Sequence, residues 1–179
     1  MARYSSDTKV LGAVALSILG TSRLSDLEHY FNKYGIYNYD ENAYYPVEPL
    51  IAMMNDIVSD HQGLDSTFDL VSLGIANGRT IALPPEVNTL EKWLDIWSAR
   101  HPMLYHGTDI GYIITEKLSE TNFVVHIRWP WADDVAYGTI YGMCLRFLPS
   151  TAEFAVYYDE NLSRADFGAE ETVIHIEWH

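Results

Sequence analysis

The chain has 179 residues, 48% of them apolar and 20% charged, and its 25 acidic against 11 basic residues give a net charge of −14. That composition suits a globular fold with a core of its own and excludes a disordered chain. The basic residues Arg79, Lys92, Arg100, Lys117, Arg128, Arg146 and Arg164 stand far apart, so the concentrated positive patch that nucleic-acid binding requires is missing.

In chain order, the apolar run Val10–Leu19 is read as a buried first helix. It is too short to cross a bilayer. Asp7 between Arg3 and Lys9, with no A-x-A site following, argues against a cleaved signal peptide, and no membrane insertion is expected. Gly20-Thr21-Ser22 reads as a stop and a restart. Ser25 is placed to cap a helix over Asp26–Tyr34, with Glu28 completing a capping box. Leu24, Leu27, Tyr30 and Phe31 form its apolar face, and Gly35 ends it. Tyr37–Tyr45 reads as a tyrosine-rich loop.

Pro46 and Pro49 open the next helix, whose stripe is Leu50, Met53, Met54, Ile57 and Val58, and His61-Gln62-Gly63 closes it. A helix over Ser66–Ile75 is expected to end at Asn77-Gly78. Pro84-Pro85 breaks the chain. Thr89 caps a helix over Leu90–Arg100, which His101-Pro102 is expected to end.

Downstream, Gly111–Leu118 and Asn122–Trp129 read as a hairpin around Ser119-Glu120-Thr121. Val135–Leu148 is helical, with Gly138 and Gly142 spaced to let a neighbour approach closely. It contains the single cysteine, Cys144, read as a small buried hydrophobe. One cysteine permits no intramolecular disulfide and no cysteine-rich zinc site, and it fits a reducing cytoplasm. Phe154–Tyr158 and Thr172–Trp178 are two final strands. The expectation is an α+β fold in one domain over residues 1–179: a mainly helical N-terminal half, 1–100, packed on a four-stranded antiparallel sheet with one intervening helix in 101–179.

Several phrases in this order resemble a known superfamily. They are Tyr45-Pro46 with the apolar helix after it, Leu73-Gly74 leading to Leu83-Pro84-Pro85, the Leu90-Glu91 helix, and Tyr105-His106-Gly107. Pro130 with Tyr137-Gly138, Gly142 and Arg146-Phe147 follows, then Gly168-Ala169 leading to Ile174-His175-Ile176-Glu177-Trp178. Over roughly residues 40–179 the chain is similar to the ligand-binding fold of H-NOX haem sensors, 4-vinyl-reductase-like domains and TRAPP vesicle-tethering subunits, nearest to poorly characterised bacterial members. The resemblance implies a cavity between helices and sheet. Many relatives carry cysteines near the Pro130 loop and the Gly168-Ala169 phrase. Here Asp133, Arg164 and Thr172 stand near those places, so no cysteine-based site is implied. H-NOX proteins hold haem through a proximal histidine and a Tyr-x-Ser-x-Arg motif. This chain has no such motif, since Tyr158 and Ser163-Arg164 are wrongly spaced.

The candidate chemistry follows. His101 and His106 flank a proline-containing corner, and either imidazole could serve as an axial haem ligand or simply favour a helix C-terminus. His106, within a matched phrase, is the preferred candidate for haem or another tetrapyrrole. On the strands, His126, His175, Glu177 and His179 could gather on one surface, as a metal site or as a solvated face with cross-strand ion pairs. The acidic pairs Asp40-Glu41, Asp133-Asp134, Asp159-Glu160 and Glu170-Glu171 read as surface turns. No phosphate-cradling glycine motif and no serine elbow occurs, so no catalytic residue is assigned.

The aromatic residues carry the functional expectation. Trp93, Trp97, Tyr105, His106, Tyr112, Tyr137 and Tyr141 are the candidate lining of a pocket for a small apolar or planar ligand, or else an aromatic core. The chain is accordingly expected to be a cytoplasmic ligand-binding sensor domain that signals to a partner protein. The alternative is a non-catalytic dimeric adaptor like the vesicle-tethering subunits. A porphyrin-related reductase accessory ranks last.

Overall fold

The computed structural model describes residues 4–19, 24–60 and 69–179. Strand β1 (Lys9–Leu11) runs directly into helix α1 (Gly12–Leu19). The apolar run therefore starts as strand and continues as helix, because Val10 pairs on both sides and Leu11 pairs with Tyr44. β1 is the centre of a three-stranded antiparallel sheet, between β2 (Tyr44–Pro46) and β3 (Tyr105–His106), with Val10 opposite both Tyr45 and Tyr105. This sheet was not expected, since its strands are three, three and two residues long, too short for an alternation to register.

Helix α2 (Leu24–Tyr34) begins before the position assigned to the Ser25 cap. The proposed restart at Gly20-Thr21-Ser22 and the side chains of Leu24, Ser25 and Leu27 lie outside the described residues. Tyr30 and Phe31 are buried as the stripe requires, and Gly35 ends the helix with φ near 70°. A short 3-10 turn over Ile36–Asn38 follows. The tyrosine-rich loop thus shrinks to a few residues, because Tyr44 and Tyr45 enter β2.

Helix α3 (Glu48–Asp60) buries Leu50, Met53, Met54 and Ile57. The closure at His61-Gln62-Gly63 lies outside the described residues, as do Ser66 to Phe68. Helix α4 (Leu70–Thr80) is capped by Asp69, whose carboxylate accepts from the Ser72 amide at 2.5 Å. It runs through Asn77-Gly78 instead of stopping there. Thr89 caps α5 (Leu90–Leu104) as expected, accepting from Lys92 N–H at 3.2 Å, but α5 continues past His101 and takes Pro102 into its last turn.

The main sheet is antiparallel, in the order β4-β5-β7-β6, built from β4 (Tyr112–Ser119), β5 (Asn122–Arg128), β6 (Phe154–Tyr158) and β7 (Thr172–Trp178). The β4–β5 hairpin turns where expected. Phe123 lies opposite Ile176 and Val125 opposite Ile174, so these side chains share the buried face. Helix α6 (Asp133–Phe147) separates β5 from β6.

Helices α4 and α6 cross at backbone contact. A Cβ on Gly74 would lie 2.4 Å from the Val135 carbonyl oxygen, and one on Gly138 would lie 2.1 Å from that of Val71. Gly78 and Gly142 extend the same contact. Glycine weakens each helix by about 1 kcal/mol per residue relative to alanine, and the closer packing of the two backbones offsets that.

Candidate functional site

The helices and the main sheet line a half-open cavity of about 520 Å³. Its walls come from α1, α3, α4, α5, α6, β3 and the β4–β5 side of the sheet. The floor is aromatic. Trp93 and Trp97 stack at 4.8 Å, and Trp97 meets Trp129 edge-on at 5.6 Å. Trp131 donates its indole N–H to the Tyr105 hydroxyl at 2.6 Å. Met54, Ile96, Leu104 and Ile113 complete much of the apolar surface. The exposed residues of the wall, Ala13, Thr80, Ala82 and Arg100, mark the rim.

The local sequence explains this placement. Trp93, Trp97, Arg100, His101 and Leu104 recur at three- and four-residue intervals, so α5 turns one stripe toward the cavity. Continuing α5 through Pro102 keeps His101 and Leu104 on that stripe. His101 is 2% exposed, and its Nε2 lies 3.0 Å from the Ile110 carbonyl oxygen. A carbonyl only accepts, so Nε2 carries a proton and donates it to Ile110. Burial, the dominant cause, holds its pKa below the ordinary histidine value despite that bond.

Two buried polar atoms without a hydrogen-bond partner belong to cavity-lining residues: the Trp129 Nε1 and the Asn77 Oδ1. Arg100 is the single Lys or Arg among the lining residues, which include no Asp or Glu.

Of the residues singled out in the sequence, Trp93, Trp97 and Tyr105 stand in this wall. His106 is exposed and stacks on Tyr44 at 3.8 Å, outside the cavity. The Tyr112 hydroxyl donates to Glu171 at 2.8 Å on the other side of the sheet. Tyr137 and Tyr141 stack with each other at 6.3 Å and meet Tyr158 and Phe154, also away from it. Sequence reasoning did not assign Trp129, Trp131, His101 or Arg100 to the lining. The 3-4 spacing from Trp93 to Leu104 could have found His101 and Arg100, once the helix was carried through Pro102.

His126, His175 and Glu177 do share the outer face of the sheet, as the register sets Val124 opposite His175 and Asn122 opposite Glu177. Each histidine meets its own carboxylate: His126 with Glu171 at 2.9 Å, His175 with Asp159 at 2.9 Å, and His179 with Glu153 at 3.4 Å. Among the described residues no group of three His, Cys, Asp or Glu side chains is placed to hold a metal. Asp133 and Asp166 bond reciprocally, each carboxylate accepting the other's amide at 2.8 Å, and Asp134 accepts from Tyr158 and Arg164 at 2.9 Å. These carboxylates tie α6 to the loop after β6.

The residues in the cavity do not fit haem. The histidine in its wall has its Nε2 proton engaged by a backbone carbonyl, leaving no Nε2 lone pair for iron. A single rim arginine faces a group that carries two propionates. Cys144 is fully buried in α6, and its thiol is pushed up to about 12 by burial, so it is no thiolate ligand either.

No protein-family model and no curated protein matches the chain. Solved structures do. A variant of the Tt H-NOX protein superposes with a TM-score of 0.67 at 14% identity, covering 94% of each chain. The S. oneidensis H-NOX protein in its Fe(II)NO ligation state gives 0.61 at 14% identity over 94% of this chain and 99% of that one. An oxygen-binding H-NOX domain related to soluble guanylate cyclases gives 0.59 at 12% identity, covering 93% and 92%. The chain therefore has the H-NOX-like fold.

Proposed function

We propose that this protein is a ligand-binding sensor domain that holds a small, apolar, metal-free molecule in the cavity between α5 and the main sheet. The observation that carries the reading is the cavity itself. Its volume of about 520 Å³ falls in the range of about 300–1,000 Å³ typical of small-molecule sites. Its floor is built of flat indole faces and its few polar groups sit at defined places, which is how such sites combine affinity with orientation.

The fold supports the sensor role. Ligand in the cavity touches α1, α4, α5 and α6 together. A molecule that favours one arrangement of these helices over another shifts the population between them, and a partner protein reads the outer surface. The single buried cysteine is compatible with a cytoplasmic setting. No described helix is long and apolar enough to cross a membrane.

The test is native mass spectrometry of the purified protein, with solvent extraction of whatever is bound, beside a haemin titration. The reading expects an organic molecule or a thermal shift with planar apolar compounds, and no Soret band that depends on His101 or His106. A stoichiometric haem complex lost in His106→Ala would overturn it. A dimer that neither carries nor binds any small molecule would instead favour the adaptor role.

A further inference from the structure

We propose that the ligand is an amphipathic monocarboxylic acid whose carboxylate is held at the cavity rim by Arg100, with its apolar body against Trp93 and Trp97. This deepens the sensor reading and rests on it.

Three observations converge on Arg100. First, it is exposed on the rim while the wall behind it is apolar, and no acidic side chain lines the cavity to neutralise it. In a chain of net charge −14 a lone cation at an apolar mouth is a distinctive placement. Second, other arginines are engaged. Arg128 pairs with Asp109, Arg164 with Asp134 at 2.9 Å, and Arg146 donates to the Ile81 carbonyl at 2.8 Å. Arg100 has no ion-pair partner among the described residues. Third, it lies one turn along α5 from Trp97, on the same stripe, so one molecule can lie on the indole and reach the guanidinium.

The charge count selects the anion. One guanidinium matches one carboxylate in a bidentate fork. A phosphate monoester would leave surplus negative charge at an apolar mouth, within an already acidic protein, which desolvation disfavours. Farther in, the Asn77 side chain offers an unpartnered amide oxygen, and rotating the amide would present its NH2 group instead. A polar substituent on the body of the ligand could meet it.

The experiment uses the full chain at pH 7, with quenching of tryptophan fluorescence as the readout for the pyrene probes and isothermal titration calorimetry for the aliphatic ones. The probes are 1-pyrenebutyric acid, dodecanoic acid, and the matching alcohols 1-pyrenebutanol and dodecanol. The proposal expects at least one acid to bind about tenfold more tightly than its alcohol, a preference that shrinks in high salt because the rim is exposed. Arg100→Gln should abolish the preference by bringing the acid's affinity down to that of its alcohol. Arg100→Lys should restore part of it. Equal affinity for acid and alcohol, or a preference that survives Arg100→Gln, overturns the role of Arg100 and leaves the cavity as a site for neutral ligands. Absence of saturable binding by all four probes overturns both this proposal and the sensor reading. The aliphatic and the pyrene arms decide whether the apolar body is a chain or a plane. Dodecyl phosphate serves as the competing anion, and tighter binding of the phosphate would overturn the choice of carboxylate.

Discussion

The Nε2 of His101 and the carbonyl oxygen of Ile110 lie 3.0 Å apart, a bond that ties the last turn of α5 to the loop leading into β4. It fixes one wall of the cavity, while burial of the ring favours the neutral imidazole.

The burial of His101 has a pH consequence. The folded pKa of His101 lies below the free value of about 6.5, because burial disfavours the charged ring. Its stabilisation is therefore present above about pH 6.5 and is lost as pH falls toward the depressed folded value. His101→Gln should reduce the decline in urea midpoint between about pH 7 and 5. At pH 7 the lost bond should cost about 1 kcal/mol. A decline of unchanged size in the variant would contradict this.

The crossing of α4 and α6 makes a second prediction. Gly138→Ala gains about 1 kcal/mol of helix propensity, but its Cβ meets backbone oxygen, which cannot swing aside as a side chain can. Overpacking of about 1–3 kcal/mol or more should win, so the variant should melt lower than wild type by calorimetry. An unchanged or raised Tm would show that the helices separate without cost.

Acid should weaken the fold through a set of carboxylates. Asp7 accepts hydrogen bonds from Ser5 and from the side chain and backbone of Thr108, which bring its pKa down to about 2. Asp56 is lowered by Lys33 and Tyr34, Asp109 by Arg128, and Asp159 by His175. Burial works against ionisation of Glu171, but His126 and Tyr112 together outweigh it. Each folded value lies below its unfolded one of about 4, so the contribution of these carboxylates is complete above that pH and is lost progressively down to about pH 2. Denaturant midpoints measured from pH 6 to 2 should trace this fall, and Asp7→Asn should flatten its lowest part.

Cys144 should be inert. It is fully buried and its thiol is pushed up to about 12. A disulfide reagent such as Ellman's should give no fast phase with native protein and one equivalent after denaturation. A fast native phase would place the thiol in reach of solvent.

The long, periodic elements were legible in the sequence. The β4–β5 hairpin, α6 with its two glycines, and the two last strands follow from alternation and three-four spacing. Three features were hidden because they depend on distant partners. Asn77-Gly78 has the chemistry of a stop, yet α4 continues because Gly78 packs on α6, where a Cβ would lie 2.4 Å from the Thr139 carbonyl oxygen. His101-Pro102 likewise looks terminal, but burial of His101 and its bond to Ile110 favour one more turn. The short strands of the small sheet carry no pattern of their own. For the site, aromatic content pointed toward a pocket but could not sort its members. Tyr137 and Tyr141 share a helix with Val135 and Thr139, and only the latter two face the cavity.

The central claim is that the cavity takes a small apolar ligand without a metal. Titration with 1-aminoanthracene, a neutral planar fluorophore, tests it most directly. Wild type should bind one equivalent with quenching of the wall tryptophans, and Ile96→Trp, which fills the cavity from α5, should lose that binding while keeping its cooperative melt. Binding that is absent in wild type, or that persists undiminished in a folded Ile96→Trp variant, would contradict the account.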